Sequence, residues 1–127
     1  MKESEFLALA EASLDAIEAQ LDLACDETDL DVECSRSGNV LEIECSASHS
    51  KIIVNSQASM QELWVAAKAG GFHYRHDGEA WLNTRDNSEL FAALSHMVSA
   101  QAQEQVVLRP PKNAANLANI TRFLRHL

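Results

Sequence analysis

Near residue 25 the apolar spacing of this chain changes from steps of three and four to steps of two. That change limits the folds open to it. Upstream, Phe6, Leu9, Ala10, Leu14, Ile17 and Leu21 recur at helical spacing and predict an amphipathic helix over residues 4–24, with Ser4 as its N-cap. Downstream, every even position of Asp29-Leu30-Asp31-Val32-Glu33-Cys34 is apolar and every odd one acidic. That alternation predicts a half-buried antiparallel strand with three carboxylates on its wet face.

Ser37-Gly38-Asn39 has turn chemistry, and residues 40–45 alternate again to complete a hairpin. Further strands are expected over residues 51–55, 63–67, 72–75 and 80–82, with Gly70-Gly71 as a break and Asp77-Gly78 as a turn. A second helix is expected from about residue 88 through Leu90, Phe91, Leu94, Met97 and Val98, then a short closing strand over residues 106–108. Helix, strands with no helix between them, helix: this order predicts an α+β sandwich with two helices packed on one face of an antiparallel sheet. Leu63 and Val65 must then point inward, which leaves Trp64 on the open face, where an aromatic residue is typically a partner contact.

Charge is divided as sharply as spacing. Residues 1–45 carry 13 acids against Lys2 and Arg36, residues 46–127 six acids against eight bases, for a net charge of −9. Between Glu18 and Glu33 seven of sixteen residues are acidic and none is basic. Such a surface repels phosphate backbones and anionic membranes, so neither nucleic acid nor a membrane is expected as partner. Metal cations and basic protein surfaces suit it. A run of this kind is ordinarily a solvated face. Here interleaved apolar residues hold it as two rows, Glu11, Asp15, Glu18 and Asp22 on the helix and Asp29, Asp31 and Glu33 on the strand. Like charges four apart cost a helix ~0.2–0.5 kcal/mol per pair.

Carboxylate oxygens without imidazole or thiolate nearby suit Fe, Mg, Mn or Ca. Alternate strand residues stand ~6.6 Å apart, so two neighbours at most share an ion and water fills its other positions. Thr28 and Leu30 fall where an EF-hand needs oxygen ligands. The expected sites are weak, multiple and salt-sensitive. No catalytic activity is expected: the sequence has no nucleophile elbow, phosphate loop or zinc motif, and His73 and His76 face opposite ways on a strand. Cys25, Cys34 and Cys45 form no C-x-x-C pair and read as reduced thiols of a cytoplasmic protein. The acid-rich start argues against a targeting segment, and no apolar run approaches the ~20 residues of a membrane span.

Taken in order, the strings Ser4-Glu5-Phe6, Asp29-Leu30-Asp31, Gly38-Asn39-Val40-Leu41, Ser50-Lys51-Ile52-Ile53-Val54-Asn55, Leu63-Trp64-Val65-Ala66-Ala67-Lys68, Gly70-Gly71-Phe72-His73-Tyr74, and Trp81 with Arg85, lie within residues 1–109. Over that span the chain resembles the frataxins, most closely the bacterial CyaY type. The resemblance implies a frataxin-like α/β sandwich and a non-enzymatic role in iron–sulfur cluster assembly in the bacterial cytoplasm. It implies weak binding of Fe2+/Fe3+ by an acidic ridge, here Glu18, Asp22, Asp26, Glu27, Asp29, Asp31 and Glu33. It also implies binding to the cysteine desulfurase and its scaffold protein through the ridge, extended by Glu11 and Asp15, and through Asn55, Gln57 and Trp64 on the sheet. A monomer is expected, with iron-dependent oligomerisation left open.

Ala19, Leu23 and Cys25 stand where bacterial relatives often carry acids, so the ridge is thinner here. Ser59 replaces a usual proline. Residues 110–127 form an extension in which Leu117, Ile120, Phe123, Leu124 and Leu127 are spaced for a short docked helix. The alternative to an iron-binding regulator is an acidic protein-interaction module that binds metal only incidentally.

Overall fold

The computed structural model describes residues 1–111. Its elements are α1 (Glu3–Glu27), β1 (Val32–Ser37), β2 (Val40–Cys45), a 3-10 turn (Ser46–Ser48), β3 (Ser50–Gln57), β4 (Glu62–Ala67), β5 (Gly70–His76), β6 (Trp81–Asn83) and α2 (Leu90–Ala102). The six strands lie side by side in chain order, each antiparallel to the next. The helices share one face of this sheet, and the expected α+β sandwich is the fold. Phe6, Leu14, Ile17 and Leu21 of α1 and Leu90, Phe91, Leu94 and Val98 of α2 close on Leu41, Ile43, Ile52, Val54, Leu63 and Tyr74. Each such burial stabilises the fold by about 1.5–3 kcal/mol before entropy is counted.

The element ends differ from expectation for local reasons. α1 begins at Glu3: the carbonyl of Lys2, not the side chain of Ser4, accepts the first helical hydrogen bond, from Phe6 N at 3.0 Å. At the other end Thr28 stops the helix. Its hydroxyl donates to Ala24 O (2.7 Å) and accepts from Leu30 N (3.1 Å), turning the chain toward the sheet. β1 therefore begins at Val32, and Asp29 and Asp31 lie in the link before it rather than in the strand. Gly38, at φ +57°, takes the first place of the two-residue turn into β2, a conformation a Cβ disfavours.

Gly70 and Gly71 do not break the sheet. They pair with Ala67 and Ala66, and the turn sits at Lys68-Ala69. Glu89 sets the start of α2 by accepting from Phe91 N (2.6 Å) and Ala92 N (3.0 Å). Residues 106–108 are not a closing strand. Side chains hold this extended segment against the helices: Val106 N donates to Ser99 Oγ (3.0 Å), Leu108 N to Ser95 Oγ (2.8 Å) and Arg109 N to Gln20 Oε1 (2.8 Å). Ser99 and Gln20 return the bond, to Val106 O (3.2 Å) and Arg109 O (2.8 Å). The alternation in Val106-Val107-Leu108 is real, with Val107 outward, yet α1 and α2 supply the partners a strand would have. The expected C-terminal helix falls in residues 112–127, outside the described residues.

Candidate functional site

Two exposed surfaces carry the residues singled out from the sequence. The first surrounds the α1–β1 link. Asp22, Asp26 and Glu27 leave the last turns of α1, and Asp29 and Asp31 leave the link itself, all exposed. Leu30 between them is buried, so the expected alternation persists although the ladder has not begun. Glu18 stands further up the helix, part-buried. Arg36 reaches across from β1 to Asp15 (Nη1–Oδ1 2.8 Å) and, less closely, to Glu18 (4.0 Å).

Glu33 departs from the rest. In β1, Val32, Cys34 and Arg36 face the helix side, so Glu33 points toward the open face, where it pairs in register with Glu44 beside Lys51. The seven expected ridge residues thus form no single row. Among the described residues, no three His, Cys, Asp or Glu side chains group closely enough to hold a metal ion. Cys34 lies beneath the ridge and adds no soft ligand. Burial first, then the carboxylates of Asp22 and Glu18, push its thiol up to about 12, so it stays protonated at neutral pH. Burial likewise raises Cys45. The donors present suit a cation that one or two carboxylates touch and water otherwise surrounds.

The second surface is the open face of the sheet. Trp64 points outward as expected, and the register puts Asn55, Trp64 and His73 in one row and Gln57, Glu62, Arg75 and Leu82 in the next. The three expected sheet contacts, Asn55, Gln57 and Trp64, are therefore brought together. Trp64 stacks on His73, with ring centroids 4.4 Å apart and planes 9° from parallel. Its indole N–H donates to Glu62 Oε1 (2.9 Å), while Glu62 Oε2 accepts from Arg75 Nη2 (2.8 Å).

Glu62, His73 and Arg75 were not expected at this site. Alternation within each strand puts them on the outward face, but which strand residues stand opposite each other was not readable. His76 takes no part. It lies on the other face against Trp81, where burial lowers its pKa, and its Nδ1 accepts from Gly78 N (3.0 Å).

A helix, six meandering strands and a helix is an arrangement found in known proteins. A frataxin-like domain model matches residues 1–104. The chain belongs to the frataxin family. The iron–sulfur cluster assembly protein CyaY of Herminiimonas arsenicoxydans is 67% identical over 109 residues, which is 86% of this chain and 97% of that protein. CyaY of Janthinobacterium sp. (strain Marseille) matches over the same shares at the same identity.

Among solved structures, the frataxin of Psychromonas ingrahamii superposes with a TM-score of 0.69 at 27% identity, covering 88% of this chain and all of that one. Yeast frataxin, at 20% identity and a TM-score of 0.65 over 79% of this chain and 82% of its own, shares the fold. Among the described residues of this frataxin-family chain, no helix is long and apolar enough to cross a membrane.

Proposed function

We propose that this chain regulates iron–sulfur cluster assembly without catalysing a step of it. It docks on the cysteine desulfurase and its scaffold through the acidic link and the open sheet face. The relatives named as cluster assembly proteins support the setting. The observation that carries the reading is the charge around the α1–β1 link. Exposed carboxylates run from Asp22 to Asp31, and Arg36, the one lysine or arginine between Glu3 and Ser50, is committed to Asp15. A basic partner surface therefore meets carboxylates not already neutralised in place, which favours fast and salt-sensitive association. Glu11 and Asp15 extend this field along α1, and Asn55, Gln57 and Trp64 add the contacts of the second face.

Fe2+ or Fe3+ is a loosely held guest. Asp22, Asp26, Glu27, Asp29 and Asp31 hold it in ones and twos, with Glu18 and Glu33 at the margins. One observation favours the second reading, a protein-interaction module that binds metal incidentally: no three of these carboxylates group for a common ion. Calorimetry with Fe(II) and with desulfurase, on wild type and on Asp29→Asn/Asp31→Asn, separates the two. The regulator reading expects the double variant to lose affinity for both ligands, and iron to alter the effect on cluster formation. Lost desulfurase affinity with a regulatory effect blind to iron favours the module. If neither ligand binds at low salt, both readings fail.

A further inference from the structure

Glu62 is out of place for a charged residue. It points to the open face of the sheet, yet its side chain is only 5% exposed because Trp64, His73 and Arg75 close over it. Its two oxygens act separately. Oε1 accepts the indole N–H of Trp64 at 2.9 Å and lies 3.3 Å from His73 Nδ1; Oε2 takes Arg75 Nη2 at 2.8 Å. The Trp64 ring is thus held at its polar edge by Glu62 and across one face by the His73 ring, 4.4 Å away. Arg75, 59% exposed, neutralises the carboxylate from its second oxygen.

We infer that Glu62 is a positioning residue, fixing the Trp64 indole in the orientation it presents to a partner on the open sheet face. This rests on the reading of Trp64 as a partner contact. A free indole on a sheet surface samples several rotamers, and ordering it on binding weakens association. Glu62 removes that cost in advance, and it satisfies the N–H so that the partner meets an apolar ring with no unpaired donor. The acceptor matters for the tryptophan, the charge for Arg75. Glutamine keeps an oxygen for the indole; alanine keeps nothing.

The test is exchange of the Trp64 Nε1 proton with water, read by 1H–15N NMR in the full chain for wild type, Glu62→Ala and Glu62→Gln. Trp64→Phe assigns the signal against Trp81. In wild type the proton should exchange roughly 10-fold or more slowly than that of an unbonded indole. Glu62→Ala should abolish this protection and weaken desulfurase binding by about 3- to 10-fold, and Glu62→Gln should restore both. Unprotected exchange in wild type overturns the inference without any variant, so it stays testable if Glu62→Ala does not fold. Retained protection in a folded Glu62→Ala overturns it as well. Trp64→Ala binding desulfurase like wild type overturns the partner reading alone, because the exchange rate is measured with no partner present.

Discussion

Replacing Trp64 with alanine separates a residue that holds the fold together from one that displays it. The stability cost follows from what the side chain touches. It loses the stacked contact with His73, about 0.5–1.5 kcal/mol, and the indole hydrogen bond to Glu62, about 1 kcal/mol net. Glu62 keeps Arg75 at 2.8 Å, so no carboxylate is left without a partner. Trp64 faces away from the core between Leu63 and Val65, so no cavity opens. The sum is about 1.5–2.5 kcal/mol, against about 3–5 kcal/mol for truncating a core aromatic such as Phe91.

As a central contact, Trp64 should contribute about 2 kcal/mol or more to desulfurase binding, a roughly 30-fold loss on truncation. Urea unfolding measures the first quantity and calorimetry the second. A stability loss above about 3 kcal/mol would place Trp64 in the core, and an affinity within about 2-fold of wild type would remove it from the interface.

Three further outcomes are expected. Ser95→Ala leaves the buried Leu108 N–H without its acceptor, so urea unfolding should show a loss of about 1–3 kcal/mol and hydrogen exchange at Leu108 should quicken; an unchanged midpoint would deny the clamp its role. The Tyr74 hydroxyl is buried, and the Asn83 side chain across the ladder lies near it without a well-formed hydrogen bond, its Oδ1 accepting instead from Arg85 N. Tyr74→Phe should leave stability unchanged or raise it by about 1 kcal/mol, and a clear loss in urea would reveal a bond to that hydroxyl.

Cys34 titrates near 12 when folded and near 9.0 when unfolded, so the native state keeps a proton that the unfolded chain sheds. Stability should therefore be insensitive to this thiol below pH 9 and fall as pH rises from 9 toward 12. Denaturation midpoints at pH 8, 10 and 11 check this, and Cys34→Ala should flatten the decline. A decline identical in the variant would assign it to other groups.

Periodicity carried most of the fold. The change from helical to alternating spacing marked α1 and the sheet, and alternation alone put Trp64 on the open face. What failed was local and had local causes. Thr28 caps α1 with its own hydroxyl, so the link takes Asp29 and Asp31 out of the strand. The alternation over residues 106–108 records a segment held by serine and glutamine side chains, and no periodicity announces a helix as the bonding partner. The candidate site was half readable. Acid density located the carboxylates and alternation put Glu33 on the open face, but nothing in the pattern showed that Asp29 and Asp31 precede the strand or that Arg36 reaches back to Asp15. Glu62, His73 and Arg75 became one cluster only through the register of β4 and β5, which single-strand patterns do not contain.

The central claim, that the acidic link and the open sheet face together form the surface that docks on the desulfurase, is tested most directly by titrating the 15N-labelled chain with unlabelled desulfurase. The account predicts perturbed signals at Asp22, Asp26, Glu27, Asp29 and Asp31, and in the same titration at Asn55, Gln57, Trp64 and His73. Perturbations confined to the cavity lined by Ser95, His96, Ser99 and Val107, with link and sheet unchanged, would contradict it.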